Sequence, residues 1–343
     1  MSHTPTSMSH PPTQVLFPAP SDMSATVFPS HVRASFRRDP TDRTGELVRL
    51  LDDIATVTHS VSKYVAARHH SARPTPDADY SPHPSGPRPH VATQKLYNSL
   101  CHDGYACIIL EKDREAPLTF PESAVQGGYV LMLSSLDIDQ TATDNVTCGT
   151  IFSVYKRKSS TSLPGRLKDL QQQVDHQVAA GFVLYSSATT LYYTMHAGVY
   201  KFYLQPVATQ YFLQPNHPIA FDKPSFDLYT DYHQSRTDPA LGKHALAFCS
   251  ARSGKVYDNG CMIANFQGAM AAACLFIGHN MHLLCEAAPL ALIVEQMGGK
   301  ATDGAGNRIL DMGVDDEDVH KRVSFCAGPT ELVDSVETTA RKA

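Results

Sequence analysis

The run His282-Leu-Leu-Cys-Glu-Ala-Ala-Pro-Leu-Ala-Leu-Ile-Val-Glu-Gln-Met-Gly-Gly-Lys-Ala-Thr-Asp-Gly304 carries strand, acid, helix and stop signals in immediate succession. Its opening residues form an apolar, strand-like segment that delivers one carboxylate, Glu286, at its end. The following residues predict an amphipathic helix, and Gly298-Gly299 ends it, because glycine just past a helix accepts the left-handed conformation at little cost. A lone acid between an apolar strand and an apolar helix is held at a defined place beside a helix start.

Working outward, the 343 residues are enough for one large core or two medium ones. A hydrophobic content of 42% with 18% charged residues fits a globular protein. The net charge of −5 gives no electrostatic reason to expect nucleic acid, which requires a basic surface. No apolar run reaches the ~20 residues a bilayer span requires, so no membrane association is expected. The eight cysteines contain no C-x-x-C pair and read as buried free thiols of a reducing compartment. No secretory or transit signal is evident, which makes the cytoplasm the expected location.

Residues 1–40 read as a disordered arm of Pro, Ser, Thr and His. From Thr41 the pattern turns helical: Leu47, Leu50, Leu51, Ile54, Val57, Val61 and Val65 make an apolar stripe, with Thr41 or Thr44 as cap and Glu46 in the first turn. Residues 69–90 hold six prolines and four histidines and predict a long surface loop. Gln94–Leu100 predicts a helix and Cys107–Leu110 a buried strand. Further strands are expected at Tyr129–Leu133, Cys148–Tyr155, Val178–Tyr185 and Gly198–Leu204, with a helix over Ser187–Met195. The second half predicts a strand at Ala245–Phe248, a helix over Cys261–Phe276, short strands at Leu310 and Val323–Ala327, and a final helix from Thr330. Strands and helices alternate throughout, so the expected class is α/β, with helix layers between mixed sheets.

Taken together, Thr44-Gly-Glu-Leu47, Gly149-Thr-Ile-Phe-Ser-Val-Tyr155, Ala179-Ala-Gly-Phe-Val-Leu-Tyr-Ser-Ser-Ala-Thr189 and the 282–304 run resemble, in form and order, the fructose-1,6-bisphosphatase family, over roughly residues 41–335. The forms Thr-Gly-Glu-Leu and Leu-Tyr-Ser-Ser-Ala-Thr are closer to the fructose than to the sedoheptulose branch. The resemblance implies a sugar-phosphatase fold of two half-domains, 41–200 and 201–335, followed by a tail at 336–343, and usually a homotetramer. It also implies Mg²⁺ or Mn²⁺ as cofactor, with two or three ions to screen the phosphate and activate water.

Magnesium takes oxygen ligands in octahedral geometry, so several carboxylates must converge. The resemblance places catalytic and metal-ligand roles on Glu111, Asp113, Asp137 and Glu286, with Asp139 or Asp144 as further donors. The family's Asp-Pro-Leu-Asp-Gly-Ser-Ser motif falls on Ser134-Ser-Leu-Asp-Ile-Asp-Gln140. Only its second acid, Asp137, is kept. Ser134 offers a neutral hydroxyl where a charged ligand is expected, and the β-branched Ile138 resists any positive φ the glycine supplies. Asp139 sets negative charge where a phosphate would approach; two unit charges ~4 Å apart repel by ~4 kcal/mol at an effective dielectric of 20. The acidic run survives as Glu111-Lys112-Asp113, with a lysine among would-be ligands.

The family's substrate-binding positions correspond to Asn280 in place of a lysine, Tyr257 near the place of an arginine lent by a neighbouring subunit, and Tyr232 in a shortened phosphate motif. Each lost charge-assisted hydrogen bond is worth ~1.5–3 kcal/mol. An effector phosphate or AMP-like ligand is implied at Thr44, Gly45, Glu46 and Leu47, with Tyr129 and Lys156, because helix N-termini suit phosphate. Losses in separate segments that serve one reaction favour a catalytically impaired relative in sugar-phosphate metabolism, acting by binding or by oligomerising with itself or an active paralogue. The competing readings are an active bisphosphatase with a rearranged metal site, Asp139 or Asp144 replacing lost ligands, and a phosphate-ligand sensor.

Overall fold

The computed structural model describes residues 26–36, 45–69, 91–137, 147–230, 239–314 and 318–342. Two sheets and seven helices among these residues stack in alternating layers. Helices α1 (Phe28–Phe36), α2 (Glu46–His69) and α3 (Val91–Asp103) come first in the chain. The stripe expected on α2 is buried from Leu47 to Val65, against one face of the larger sheet. Gly45 precedes α2 with φ +68°, a conformation that side chains with a Cβ resist.

The larger sheet has β1 (Ala106–Glu111), β2 (Leu118–Thr119), β3 (Tyr129–Asp137), β4 (Cys148–Lys156), β5 (Gln177–Tyr185), β6 (Thr190–Thr194), β7 (Val199–Gln205) and β8 (Gln210–Leu213). Their spatial order is β2-β1-β3-β4-β5-β6-β7-β8, with only the β1–β3 pair parallel. Both faces of the central strands are covered, and β4 is buried at every position from Cys148 to Tyr155. The second sheet comprises β9 (Leu228–Thr230), β10 (Val256–Tyr257), β11 (Leu275–His282), β12 (Lys300–Thr302) and β13 (Arg322–Gly328), in the order β10-β9-β11-β13-β12. Its outer face carries α4 (Pro239–Ser250) and α7 (Thr330–Lys342). Between the sheets lie α5 (Met262–Ala271) and α6 (Ala288–Gln296).

Several expectations need correction. Residues 28–36, inside the arm expected to be disordered, form α1; Phe28 and Val32 fall on one helical face and are buried at 1% and 0% exposure. The span Ser187–Met195 is not a helix: after a turn, Thr190–Thr194 becomes β6, where aromatic and β-branched residues fit the pleated surface. Ala245–Phe248 lies within α4, because Leu241, Ala245, Phe248 and Cys249 repeat at helical spacing and face the core. The helix expected over Cys261–Phe276 stops at Ala271, and Leu275 already belongs to β11. Leu310 sits in a 3₁₀ turn, and the tail from residue 336 is the end of α7, anchored by buried Val336. Helix α6 is buried from Ala288 to Val294 rather than two-faced, since a sheet covers each side. The Pro-rich segment from residue 70 to 90 lies outside the described residues. All eight cysteines are free, and all but Cys101 are buried. The larger sheet runs on to Leu213, so the change from one sheet to the next falls between Leu213 and Leu228.

Candidate functional site

The residues of interest meet where β1 and β3 end against the segment joining β11 to α6. That segment, Leu283–Ala287, is not a continuation of the strand but a single π-helical turn, a rare form that is frequent at functional sites. Its start is pinned by the Leu283 amide on the Lys321 carbonyl at 2.8 Å. Its end passes into α6 with a proline in the first turn, and the Ser153 hydroxyl donates to the Leu284 carbonyl at 3.3 Å. The turn swings Glu286 back so that Oε2 accepts the His282 amide at 2.9 Å.

The other oxygen of Glu286 is held by a cation from this chain. Lys112 Nζ stands 2.7 Å from Oε1, and the two side chains are 16% and 5% exposed. Ser134 Oγ donates to the same oxygen at 3.4 Å. Burial by itself raises the pKa of Glu286, but the charge and hydrogen bond of Lys112, with the His282 amide, outweigh it and hold the carboxyl below its ordinary value. Glu286 is therefore an ionised, ion-paired carboxylate.

Glu111 does not join it. Adjacent strand residues face opposite sides of a sheet, and on β3 Ser134 reaches Glu286 while Ser135 donates to Glu111 Oε1 at 2.5 Å. Thr93 of α3 donates to the same Glu111 oxygen at 2.6 Å, which fixes this carboxylate on the helix-covered face. Among the described residues, Glu111 Oε2 is buried without a hydrogen-bond partner. Lys112, one residue on, faces the Glu286 side, and its amide continues the ladder to the Leu133 carbonyl at 3.1 Å.

The remaining expected site residues are spread out. Asp113 is exposed in the turn after β1. Asp137 closes β3 with its backbone opposite Gly149 beyond a bulge, while its side chain, Asp139, Asp144 and Tyr232 lie outside the description. Tyr257 stacks on Tyr229 at the sheet edge, with ring centroids 4.8 Å apart. Asn280 is exposed at the β11 bulge with φ +53°, and its carbonyl accepts Arg322 at 2.9 Å. At the effector corner, Thr44 is outside the described residues, but Gly45, Glu46 and Leu47 open α2, and a Cβ on Gly128 would meet Glu46 Oε2 at 3.2 Å. Tyr129 and Lys156 are register partners beside it on β3 and β4. The fold thus gathers the described residues expected to meet an effector phosphate, with the Glu46 carboxylate among them.

A histidine pair that the sequence reading left out borders Glu286. The Cys285 amide donates to His282 Nδ1 at 3.3 Å, so this nitrogen is the acceptor and Nε2 carries the proton. Nε2 then donates to His320 Nδ1 at 3.0 Å, and His320 Nε2 donates to the Glu115 carbonyl at 3.2 Å. His320 is half-buried. Burial pushes the His282 pKa down to about 4, against the opposing pull of Glu286 and with help from His320, Arg322 and Lys112. The available signals were the His282/Glu286 spacing of four residues and a lysine set between two acids at a strand end.

A magnesium centre needs several carboxylates with free lone pairs converging from one side. Among the described residues no group of three or more His, Cys, Asp and Glu side chains is placed to hold a metal ion. Glu286 is engaged by an ammonium, Glu111 faces the other side of the sheet, and Ser134 is neutral. A divalent ion ~4 Å from the Lys112 ammonium would meet ~8 kcal/mol of repulsion at an effective dielectric of 20, twice the unit-charge value. The described residues do not fit a two-metal centre.

Family models for the N-terminal domain of fructose-1,6-bisphosphatase match residues 90–216, and those for its C-terminal domain match residues 260–341. The chain belongs to the fructose-1,6-bisphosphatase family. A fructose-1,6-bisphosphatase class 1 of Maridesulfovibrio salexigens is 31% identical over 265 residues, covering 71% of this chain and 76% of the relative. One of Cytophaga hutchinsonii is 30% identical over 260 residues, covering 72% and 74%. In three dimensions, the T-state crystal structure of Leishmania major fructose-1,6-bisphosphatase superposes with a TM-score of 0.76 at 21% identity, covering 93% of this chain and 99% of that one. The holo form gives 0.75 at 20% identity. The layered α/β architecture is that of the family. No helix among the described residues is long and apolar enough to cross a membrane.

Proposed function

We propose that this chain is a fructose-1,6-bisphosphatase-like protein of sugar-phosphate metabolism, in the cytoplasm, whose catalytic corner is impaired for metal-dependent phosphate hydrolysis. The fold then serves ligand binding or assembly, with copies of itself or with an active paralogue. The observation that carries this reading is the Lys112 ammonium 2.7 Å from Glu286 Oε1, on the one acid that the C-terminal motif delivers to the site. Supporting it are the neutral Ser134 on the same oxygen and the separation of Glu111 by the sheet.

The test is phosphate release from fructose-1,6-bisphosphate with Mg²⁺ or Mn²⁺, with Ser134→Asp as companion. The expected result is no release above the protein-free background by the unaltered chain. Robust, metal-dependent turnover would refute impairment and favour the second reading, an active bisphosphatase with a rearranged site. One observation favours that second reading: the buried Oε2 of Glu111, without a partner among the described residues, beside β3 where Asp137 ends the strand. Calorimetry with AMP and fructose-1,6-bisphosphate separates a phosphate-ligand sensor from a scaffold. Co-purification with an active relative tests the assembly role.

A further inference from the structure

We propose that Lys112 is a tethered counter-ion, an ammonium that takes the place of a divalent cation on Glu286 and keeps this corner from binding one. The inference rests on the reading of an impaired site and assigns Lys112 a specific part in it.

Four observations converge on it. Glu286 is almost fully buried, and an ionised carboxylate so placed needs a partner of opposite charge. Lys112 supplies that charge from a fixed origin, because its backbone amide is held in the β1–β3 ladder by Leu133. Its side chain shares with Ser134 the sheet face that looks onto Glu286, where Ser134 Oγ contacts the same carboxylate oxygen. Glu111, the neighbouring acid, is turned to the opposite face and held there by Thr93 and Ser135.

The chemistry follows from charge and reach. A lysine on the same chain is present at any metal concentration, so the corner is neutralised without an ion from solution. It also repels a second cation and leaves Glu286 without another described carboxylate on its own face. A glutamate at position 112 would reverse both effects. It would set a second carboxylate on that face, beside Ser134 Oγ, and remove the repelling charge, which is the start of an oxygen-ligand site for Mn²⁺ or Mg²⁺.

The experiment compares the full-length unaltered chain, Lys112→Glu and Lys112→Met by thermal unfolding in EDTA and in a Mn²⁺ series, with calorimetric titration of Mn²⁺. Expected for the unaltered chain is the same Tm in EDTA and in Mn²⁺. Lys112→Glu is expected to melt several degrees lower in EDTA and to recover with Mn²⁺, binding it at least about tenfold more tightly than the unaltered chain does. Lys112→Met covers the case in which Lys112→Glu does not fold: it is expected to lose stability in EDTA and to gain a smaller Mn²⁺-dependent rise in Tm. The proposal is overturned if Mn²⁺ stabilises the unaltered chain as much as Lys112→Glu, or if neither variant gains a Mn²⁺ response. The two readings fail separately. Phosphate release by the unaltered chain defeats impairment, whereas an inactive chain whose Lys112 variants gain no Mn²⁺ response defeats only the counter-ion.

Discussion

Replacing Lys112 by methionine keeps an unbranched side chain, one atom shorter, and removes its charge, which isolates the electrostatic part of the Glu286 corner. The side chains are 16% and 5% exposed, so solvent screening is small. Two unit charges ~3.5 Å apart at an effective dielectric of 20 interact by about 5 kcal/mol, and removing one partner of a buried pair costs about 3–5 kcal/mol. Glu286 keeps the His282 amide and Ser134, and methionine avoids the desolvation of an ammonium, so a loss of about 2–4 kcal/mol is expected at neutral pH. The pH dependence should also change sign. In the unaltered chain the Glu286 pKa is lowered, so its contribution is present above the unfolded carboxylate value and is lost as pH falls through the folded one. Without Lys112 burial dominates, the pKa rises above the unfolded value, and the variant's deficit shrinks on acidification. The chain has no tryptophan, so urea unfolding is followed by far-UV circular dichroism and tyrosine fluorescence. A Lys112→Met/Glu286→Gln double variant should recover most of the loss. A penalty below about 0.5 kcal/mol at pH 7, or one that Glu286→Gln leaves untouched, would refute the reasoning.

Two further outcomes are expected. Because His282 falls from its ordinary 6.5 to about 4, the unfolded chain binds the extra proton between those values, so stability drops as pH falls from 6.5 towards 4. The loss is on the order of 3 kcal/mol, and His282→Gln should flatten this slope in unfolding curves taken at pH 7, 6, 5 and 4. Phe28 packs edge-on to Tyr193 at 4.9 Å and to Phe202 at 5.2 Å, so Phe28→Ala should loosen α1. Trypsin cleavage after the exposed Arg33 is then expected to accelerate at least about tenfold, and unchanged cleavage would show that α1 does not depend on this contact.

The elements that sequence made legible are those whose own residues pay no heed to distant neighbours. The α2 stripe from Leu47 to Val65, the strands Cys107–Leu110 and Cys148–Tyr155, and the glycine stop after α6 at φ +86° all follow from local period and local conformation. Errors fell where short apolar runs suit either state. Ala245–Phe248 reads equally as strand or helix until Leu241 and Cys249 are seen sharing its buried face. Thr190–Thr194 became a strand because β5 and β7 offered ladder partners on both sides. The tyrosines there are among the residues that favour strands, but that preference is weaker than the pairing it meets.

The order of its motifs, readable without any coordinates, already placed this chain with the fructose-1,6-bisphosphatases, and the same reading showed a serine at position 134 and a lysine at 112 among expected acids. What that lysine does was decided only in three dimensions. Residues 112 and 286 are 174 positions apart, and their contact exists because the end of β1 meets a π-helical turn leaving β11. Likewise, the sequence lists Glu111 and Glu286 as equal acids, whereas strand alternation puts the first on one face of the sheet and leaves the other to face an ammonium. Composition fixes which charges a chain owns. Only packing, through distance and exclusion of water, decides which of them neutralise each other.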